Sequence, residues 1–350
     1  MLFDERPKET LQDFYDRKKE LEELKRAIGK PIIVLTGMRM VGKTSMLKVF
    51  FNECTFPNAL VDARSLNSDE SLYTIFSDIL TQLNRKSAGS ILSNALKHIT
   101  GVKIFGVEIW LSWKEQRADL QNIMDQVNRL GPVIIEIDEA ENFRGKFAKD
   151  VTLLLAHCYD YCKNITFILT GTEVGFLLDL LSTEKFGSPL YSRYIEKVRL
   201  EPFSKSMSIE FLKKGFSQYG LNVDEDLIVY AVDRLGGVVG WLTELGSRAV
   251  NNGMLTKELI DEVAEKATRY AKTELDHLSP NYRYVVEAIA SGYKSYSEIK
   301  NFFKHKTGSV VRDPQLSHYL GMLVAMDYIT KDKQGKYEFS TSFIKNVFVK

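Results

Sequence analysis

Cysteine is scarce: Cys54, Cys158 and Cys162 are the three in 350 residues. An odd, low count fits a reducing cytoplasm better than a disulfide scaffold. Cys158 and Cys162 stand one helical turn apart with His157 adjacent. A metal site there stays open as the lesser alternative, since no fourth ligand is evident, and small buried helix residues are the favoured reading. No apolar run approaches the length of a membrane span. Met1 to Arg6 also lacks the charged-then-apolar order of a secretion signal. The expectation is a cytoplasmic protein without membrane contact. A surplus of either charge is missing too: 47 Lys and Arg face 46 Asp and Glu, a net +1 that names no partner by itself. What is present, 44% hydrophobic and 27% charged residues, is the composition of a soluble globular chain. At this length two or three cores are expected rather than one.

The most informative stretch runs from Pro31 to Leu47. Ile32-Ile33-Val34-Leu35 is a short apolar, β-branched-rich run, suited to a strand buried on both faces of a parallel sheet. Gly37-Met38-Arg39-Met40-Val41-Gly42-Lys43-Thr44 follows at once. Ser45, Met46, Leu47, Val49, Phe50 and Phe51 then open a helix with a broad apolar face. Strand, glycine-bounded loop and helix form the setting in which GxxxxGK[ST] means a phosphate-binding loop. A polyphosphate leaves water only if many aligned donors replace its hydration. Inward-facing amides of Gly37 to Ser45, the helix N-terminus and Lys43 supply them. The Thr44 hydroxyl is placed to ligate Mg²⁺. The implied ligands are ATP or ADP with Mg²⁺.

A second motif is Val133-Ile134-Ile135-Glu136-Ile137-Asp138-Glu139, an apolar strand ending in two acids. Asp138 at the carboxyl end of a buried strand can reach the Mg²⁺ shell. Glu139 can orient or deprotonate an attacking water. Glu136 is anomalous, because an acid inside a parallel strand is costly unless paired or at a sheet edge. A third apolar strand, Ile165 to Leu169, ends in Thr170-Gly171-Thr172. Thr170 or Thr172 can bond the γ-phosphate or the attacking water, or else cap a helix starting near Glu173. Arg193 lies in a loop ahead of a last strand, 195–200. It is placed either to stabilise charge on the γ-phosphate or to form an ordinary surface ion pair.

Around these motifs the pattern is helical. Residues 1–13 read as a polar arm, and a helix opens at 14–21. Residues 68–83, 91–99 and 115–130 carry helical spacing, and 102–111 alternates as a hairpin or bent strand at the sheet margin. From Ser204 strand signals stop, and 206–219, 224–235, 238–251 and 256–273 read as helices. Gly236 to Gly240 forms a turn between two of them that can face the nucleotide. After Leu278, three helical stretches lead to a hairpin with its turn at Asp332–Lys336, the order of a winged helix. From Leu275 on there are 11 Lys and Arg against 7 Asp and Glu; the rest of the chain has 36 against 39. That asymmetry favours duplex DNA, but the third helix shows few basic residues beyond Arg312 and His318, which favours a protein partner. The expected boundaries are an ATPase core at 1–203, a helical lid at 204–274 and a winged helix at 275–350.

Taken together, Gly37–Thr44, Ile134–Glu139, Leu169–Thr172, Ser188–Arg193 and the tail resemble the archaeal ATPase family, in the signal-transducing STAND branch of AAA+-like P-loop ATPases. The resemblance implies an α/β fold with a doubly wound, five-stranded parallel core, a helical lid and a winged helix. It implies an ATP-driven switch that hydrolyses ATP to ADP and phosphate, is monomeric when closed and can oligomerise when active. The alternatives are an ATP-regulated DNA-binding regulator and a protein-interaction module with little turnover. The family's N-terminal Gly-Arg-x-x-Glu-Leu motif, which wraps the adenine, is matched by Arg17, Glu20 and Leu21, with Asp16 replacing the glycine. In the family's Gly-x-Pro signature, Val239 takes the proline position.

Overall fold

A computed structural model describes the chain except for residues 67–68, 87–90, 114–117, 144–145, 172–176, 178–180, 182, 184–185 and 349–350. The chain divides into two compact units. One comprises Lys8–Thr36 and Lys43–Arg199; the other comprises Met1–Pro7, Gly37–Gly42 and Leu200–Lys350.

The first unit is built on β1 (Ile32–Thr36), β2 (Asn58–Asp62), β5 (Val133–Asp138), β6 (Ile165–Thr170) and β7 (Glu196–Arg199). They form one five-stranded sheet in the order β2-β5-β6-β1-β7, with every neighbouring pair parallel. Strands β1, β5 and β6 are buried along their whole length. This explains their unbroken apolar spelling, since parallel strands are covered on both faces. The register sets Leu35 opposite Thr170 and Asp62 opposite Asp138, so hydroxyls and acids gather at the carboxyl edge. In open α/β sheets ligands bind at that edge.

Helices cover both faces. Ile135 and Ile137 belong to a core shared with α3 (Asp69–Lys86), α5 (Leu120–Asn128) and α6 (Lys146–Tyr161), through Phe76, Leu80, Val127 and Leu154. Helix α1 (Lys18–Ala27) turns Leu21, Leu24 and Ala27 inward, and α2 (Lys43–Glu53) buries Met46, Leu47, Val49 and Phe50. Each fully buried side chain contributes roughly 1.5–3 kcal/mol, so packing outweighs any cap in fixing α2. The short α4 (Ile91–Leu96) packs beside α3. The alternating stretch is a hairpin, β3 (Val102–Phe105) and β4 (Glu108–Leu111), that forms its own two-stranded sheet and does not extend the main one. It hangs on α3. Ser77 and Thr81 accept from the amides of Leu111 and Ile109, and Asn84 donates to the Val107 carbonyl. Helix α5 starts only at Leu120, where Asp119 accepts from the Gln121 amide. Thr172 and the helix expected near Glu173 lie outside the described residues.

The second unit is mainly helical: α7 (Lys205–Gln218), α8 (Glu225–Leu235), α9 (Val239–Asn252) and α10 (Lys257–His277) are followed by α11 (Pro280–Ala290), α12 (Tyr296–Thr307) and α13 (Asp313–Ala325). Ser204, Asp224 and Thr256 cap the starts of α7, α8 and α10, and Ser295 with Glu298 forms a capping box on α12. A hairpin of β8 (Ile329–Lys331) and β9 (Tyr337–Phe339) closes the series. A last helix, α14 (Ser342–Asn346), went unread in the sequence; Ser342 donates to the carbonyls of Asp233 and Arg234. The N-terminus corrects the expectation of a polar arm. Leu2 and Phe3 are buried, and the Phe3 ring meets Phe211 and Phe216 edge-on at 5.8 and 5.0 Å. That ring fits because Gly215 and Gly246 leave room: a Cβ on either would stand under 2.5 Å from it.

Candidate phosphate-binding site

The loop Gly37–Gly42 joins β1 to α2. Its backbone is left-handed at Gly37 (φ 147°), Met40 (φ 63°) and Gly42 (φ 105°). Glycine adopts such angles without steric cost. Gly37 is further required by a close approach, since a Cβ there would lie 2.4 Å from the Leu200 carbonyl oxygen. Met40 bears its strain as a side-chain-bearing residue and is held by Gly240, whose amide donates to the Met40 carbonyl at 2.9 Å. The turn at Gly236–Gly240 therefore touches the loop itself. Val239, the first residue of α9, holds a position where proline is well tolerated. Arg39 reaches Glu274 of α10 at 3.1 Å, and the Tyr328 hydroxyl donates to the same carboxylate at 2.6 Å. Burial and the Glu274 charge push the Tyr328 phenol far up, so it remains a donor.

In the first unit, Lys43 and Thr44 occupy the opening turn of α2, where amides have no intrahelical acceptor. Lys43 is buried, and Ser45 Oγ accepts from the Lys8 amide at 3.0 Å. Thr44 Oγ1 donates to Asp138 Oδ2 at 2.8 Å. Asp138 Oδ1 accepts from the Thr170 hydroxyl and from the Glu139 amide at 3.2 Å. Two hard oxygens from elements 94 residues apart thus converge, as a Mg²⁺ shell requires. Glu139 is left-handed (φ 55°, ψ 42°) and opens a short turn at Ala140–Asn142. A non-glycine residue in that region is strained, and strain of this kind gathers at working sites. Gly171 lets Glu141 pass close by, since a Cβ would lie 2.4 Å from Glu141 Oε2.

Other candidates have different surroundings. Arg193 pairs with Asp160 at 2.5 Å, donates to the Pro189 carbonyl and lies 5.5 Å from the Tyr159 ring. Arg17 is buried and pairs with Glu20 at 2.8 Å. Its neighbour Asp16 has φ 43°, a left-handed backbone that aspartate tolerates better than most residues. Glu136 lies fully buried in β5, one strand in from the sheet edge. Neither carboxyl oxygen has a hydrogen-bond partner among the described residues. Burial pushes its pKa well up, opposed in part by the Lys86 charge.

Arg64 is a residue that sequence reasoning missed. It follows β2, pairs with Asp62 at 2.8 Å and lies in the field of Glu139 and Asp138. Its proximity comes from the β2–β5 pairing, which no local spacing encodes.

Residues 14–245 match a family described as an ATPase domain predominantly from Archaea. The chain is 30% identical to a Walker-type ATPase of Pyrococcus abyssi of known structure, covering 99% of each chain with a TM-score of 0.76. It is 22% identical over 363 residues to an uncharacterized protein of Methanocaldococcus jannaschii, covering 96% of this chain and 68% of that one. The ORC2 protein of Aeropyrum pernix, solved in ADPNP and ADP complexes, shares the fold at 15% identity and a TM-score of 0.56. With a phosphate-loop motif, acids at the carboxyl edge of a parallel sheet and a family match over most of its length, this chain belongs to the archaeal ATPase family.

Proposed function

We propose that this protein binds ATP with Mg²⁺ and hydrolyses it slowly, to ADP and phosphate, as a nucleotide-driven switch. The observation that carries the reading is the 2.8 Å contact between Thr44 Oγ1, in the helix that follows the glycine-bounded loop in the chain, and Asp138 Oδ2. Residues Gly37 to Ser45 cradle the phosphates, and Lys43 bridges the outer two. Thr44 and Asp138 hold the Mg²⁺, which offsets phosphate charge when bound. Glu139 orients the attacking water and accepts its proton, while Thr170 fixes Asp138. Arg193 joins the γ-phosphate only after leaving Asp160. Arg17 and its helix border the adenine.

The switch reading rests on two contacts of the loop. Gly240 bonds Met40, and Arg39 bonds Glu274, which also holds Tyr328. A phosphate that reshapes the loop changes all three partners. We assign 1–203 to the ATPase core, 204–274 to a helical lid and 275–350 to a winged helix, in a STAND-type arrangement. The protein works in the cytoplasm and oligomerises with nucleotide. The tail favours a protein partner over duplex DNA, because α13 carries Asp313 in its first turn and no basic residue in its last. A regulator that binds DNA would show salt-sensitive duplex affinity at low ionic strength.

The test is Glu139→Gln. Binding of ATP is retained and turnover falls by about 10²–10⁴-fold, the span of a general base. Turnover equal to wild type removes Glu139 from the mechanism.

A further inference from the structure

The first unit carries a second cluster of chemistry-bearing groups. Asp125 lies on α5, His157 on α6, and Cys162 just past the end of α6. His157 Nε2 is 2.8 Å from Asp125 Oδ1, and Cys162 Sγ is 3.7 Å from the same oxygen. The nitrogen, oxygen and sulfur all lie within 4.8 Å of one another. These helices pack on the face of the sheet made by Val133, Ile135 and Ile137. Asp138 has the opposite parity on β5, so the cluster is separate from the phosphate site.

We propose that Asp125, His157 and Cys162 form a binding site for a thiophilic divalent cation of the Zn²⁺ class. Four bonds of about 2.0–2.3 Å to a tetrahedral Zn²⁺ place ligand atoms roughly 3.3–3.8 Å apart. The Cys162–Asp125 distance already lies in that range, and His157 needs to part from Asp125 by less than an ångström. One thiolate and one carboxylate neutralise a 2+ ion, so the cation adds no net charge to a half-buried place. Neutral His157 is the third ligand and water the fourth, a set that leaves one position open. Asp125 is 44% exposed and gives a way in, while Cys162 is buried.

Two features of the surroundings favour a cation. The cluster sits at the C-terminal end of α6, where the helix dipole is negative. A second sulfur, Cys158, bonds Cys162 from behind. The competing arrangement is a plain His157–Asp125 ion pair beside an inert buried thiol. It predicts no metal affinity.

Co²⁺ added to the nucleotide-free protein distinguishes them. A thiolate-to-cobalt charge-transfer band in the near ultraviolet, saturating at one ion per chain and displaced by Zn²⁺, is expected. Cys162→Ser abolishes the band, and His157→Gln weakens Co²⁺ binding at least about tenfold. Cys54→Ser and Cys158→Ser retain the band. Far-ultraviolet circular dichroism and metal-free melting establish that each variant is folded. No band in the wild type, or a band lost with Cys54 or Cys158 but kept without Cys162, overturns the assignment.

Discussion

Thr170→Val isolates one hydroxyl at the centre of the site. Thr170 is fully buried at the end of β6, and its hydroxyl donates to Asp138 Oδ1 while its oxygen accepts the Glu139 amide at 3.3 Å. Valine keeps the volume and the β-branch, so no cavity opens. The Glu139 amide retains Asp138 Oδ1 at 3.2 Å as an acceptor, so it is not orphaned. What is lost is the hydrogen bond to the Asp138 carboxylate, about 1.5–3 kcal/mol, together with one of the two acceptors of the Glu139 amide. At roughly 2–4 °C per kcal/mol for a unit of this size, melting should fall by about 3–12 °C. Thr170→Ser keeps the bond and removes one methyl group, costing about 1 kcal/mol. Urea midpoints at constant m-value measure both, and steady-state ATP turnover should fall further for valine than for serine. A valine variant within about 0.5 kcal/mol of wild type, with unchanged turnover, would refute the role given to this hydroxyl.

Glu136→Gln should stabilise the protein more as pH rises. The folded chain holds a proton on Glu136 that the unfolded chain releases above its ordinary value of 4.5, so wild-type stability declines from there upward and the amide variant escapes this. Urea midpoints of both proteins at pH 5 and pH 8, compared at equal m-values, check it, and a constant gap would contradict it. Phe3→Ala should cost about 3–5 kcal/mol despite lying three residues from the N-terminus, read by thermal unfolding; a loss under about 1 kcal/mol would mean that the ring is not packed in solution.

Local patterns carried much of the reading. Strands β1, β5 and β6 were legible because burial on both faces forces a continuous β-branched spelling. Lys43, Thr44 and Asp138 stood out by motif spacing, and the structure brings the Thr44 hydroxyl to 2.8 Å from the Asp138 carboxylate. Contacts set by tertiary pairing were not. Arg64 approaches Glu139 through the β2–β5 register, and Asp125 meets His157 across 32 residues. Phe3 is a single ring in a polar stretch, and its pocket is made by glycines more than 200 residues away. Five-residue α14 is too short to show a helical period. Of the two settings the sequence allows for Arg193, the structure shows the ion pair, with an Asp160 partner from another element.

The proposed function requires that amides ahead of Lys43 hold a polyphosphate with Asp138 steadying its metal. Calorimetric titration of Mg·ATP into wild type and Lys43→Ala tests it most directly. Saturable one-site binding to wild type is expected, with affinity roughly a hundredfold weaker in the variant, about 3 kcal/mol for a desolvated charge contact. Equal affinity in the two proteins, or none in either, would contradict it.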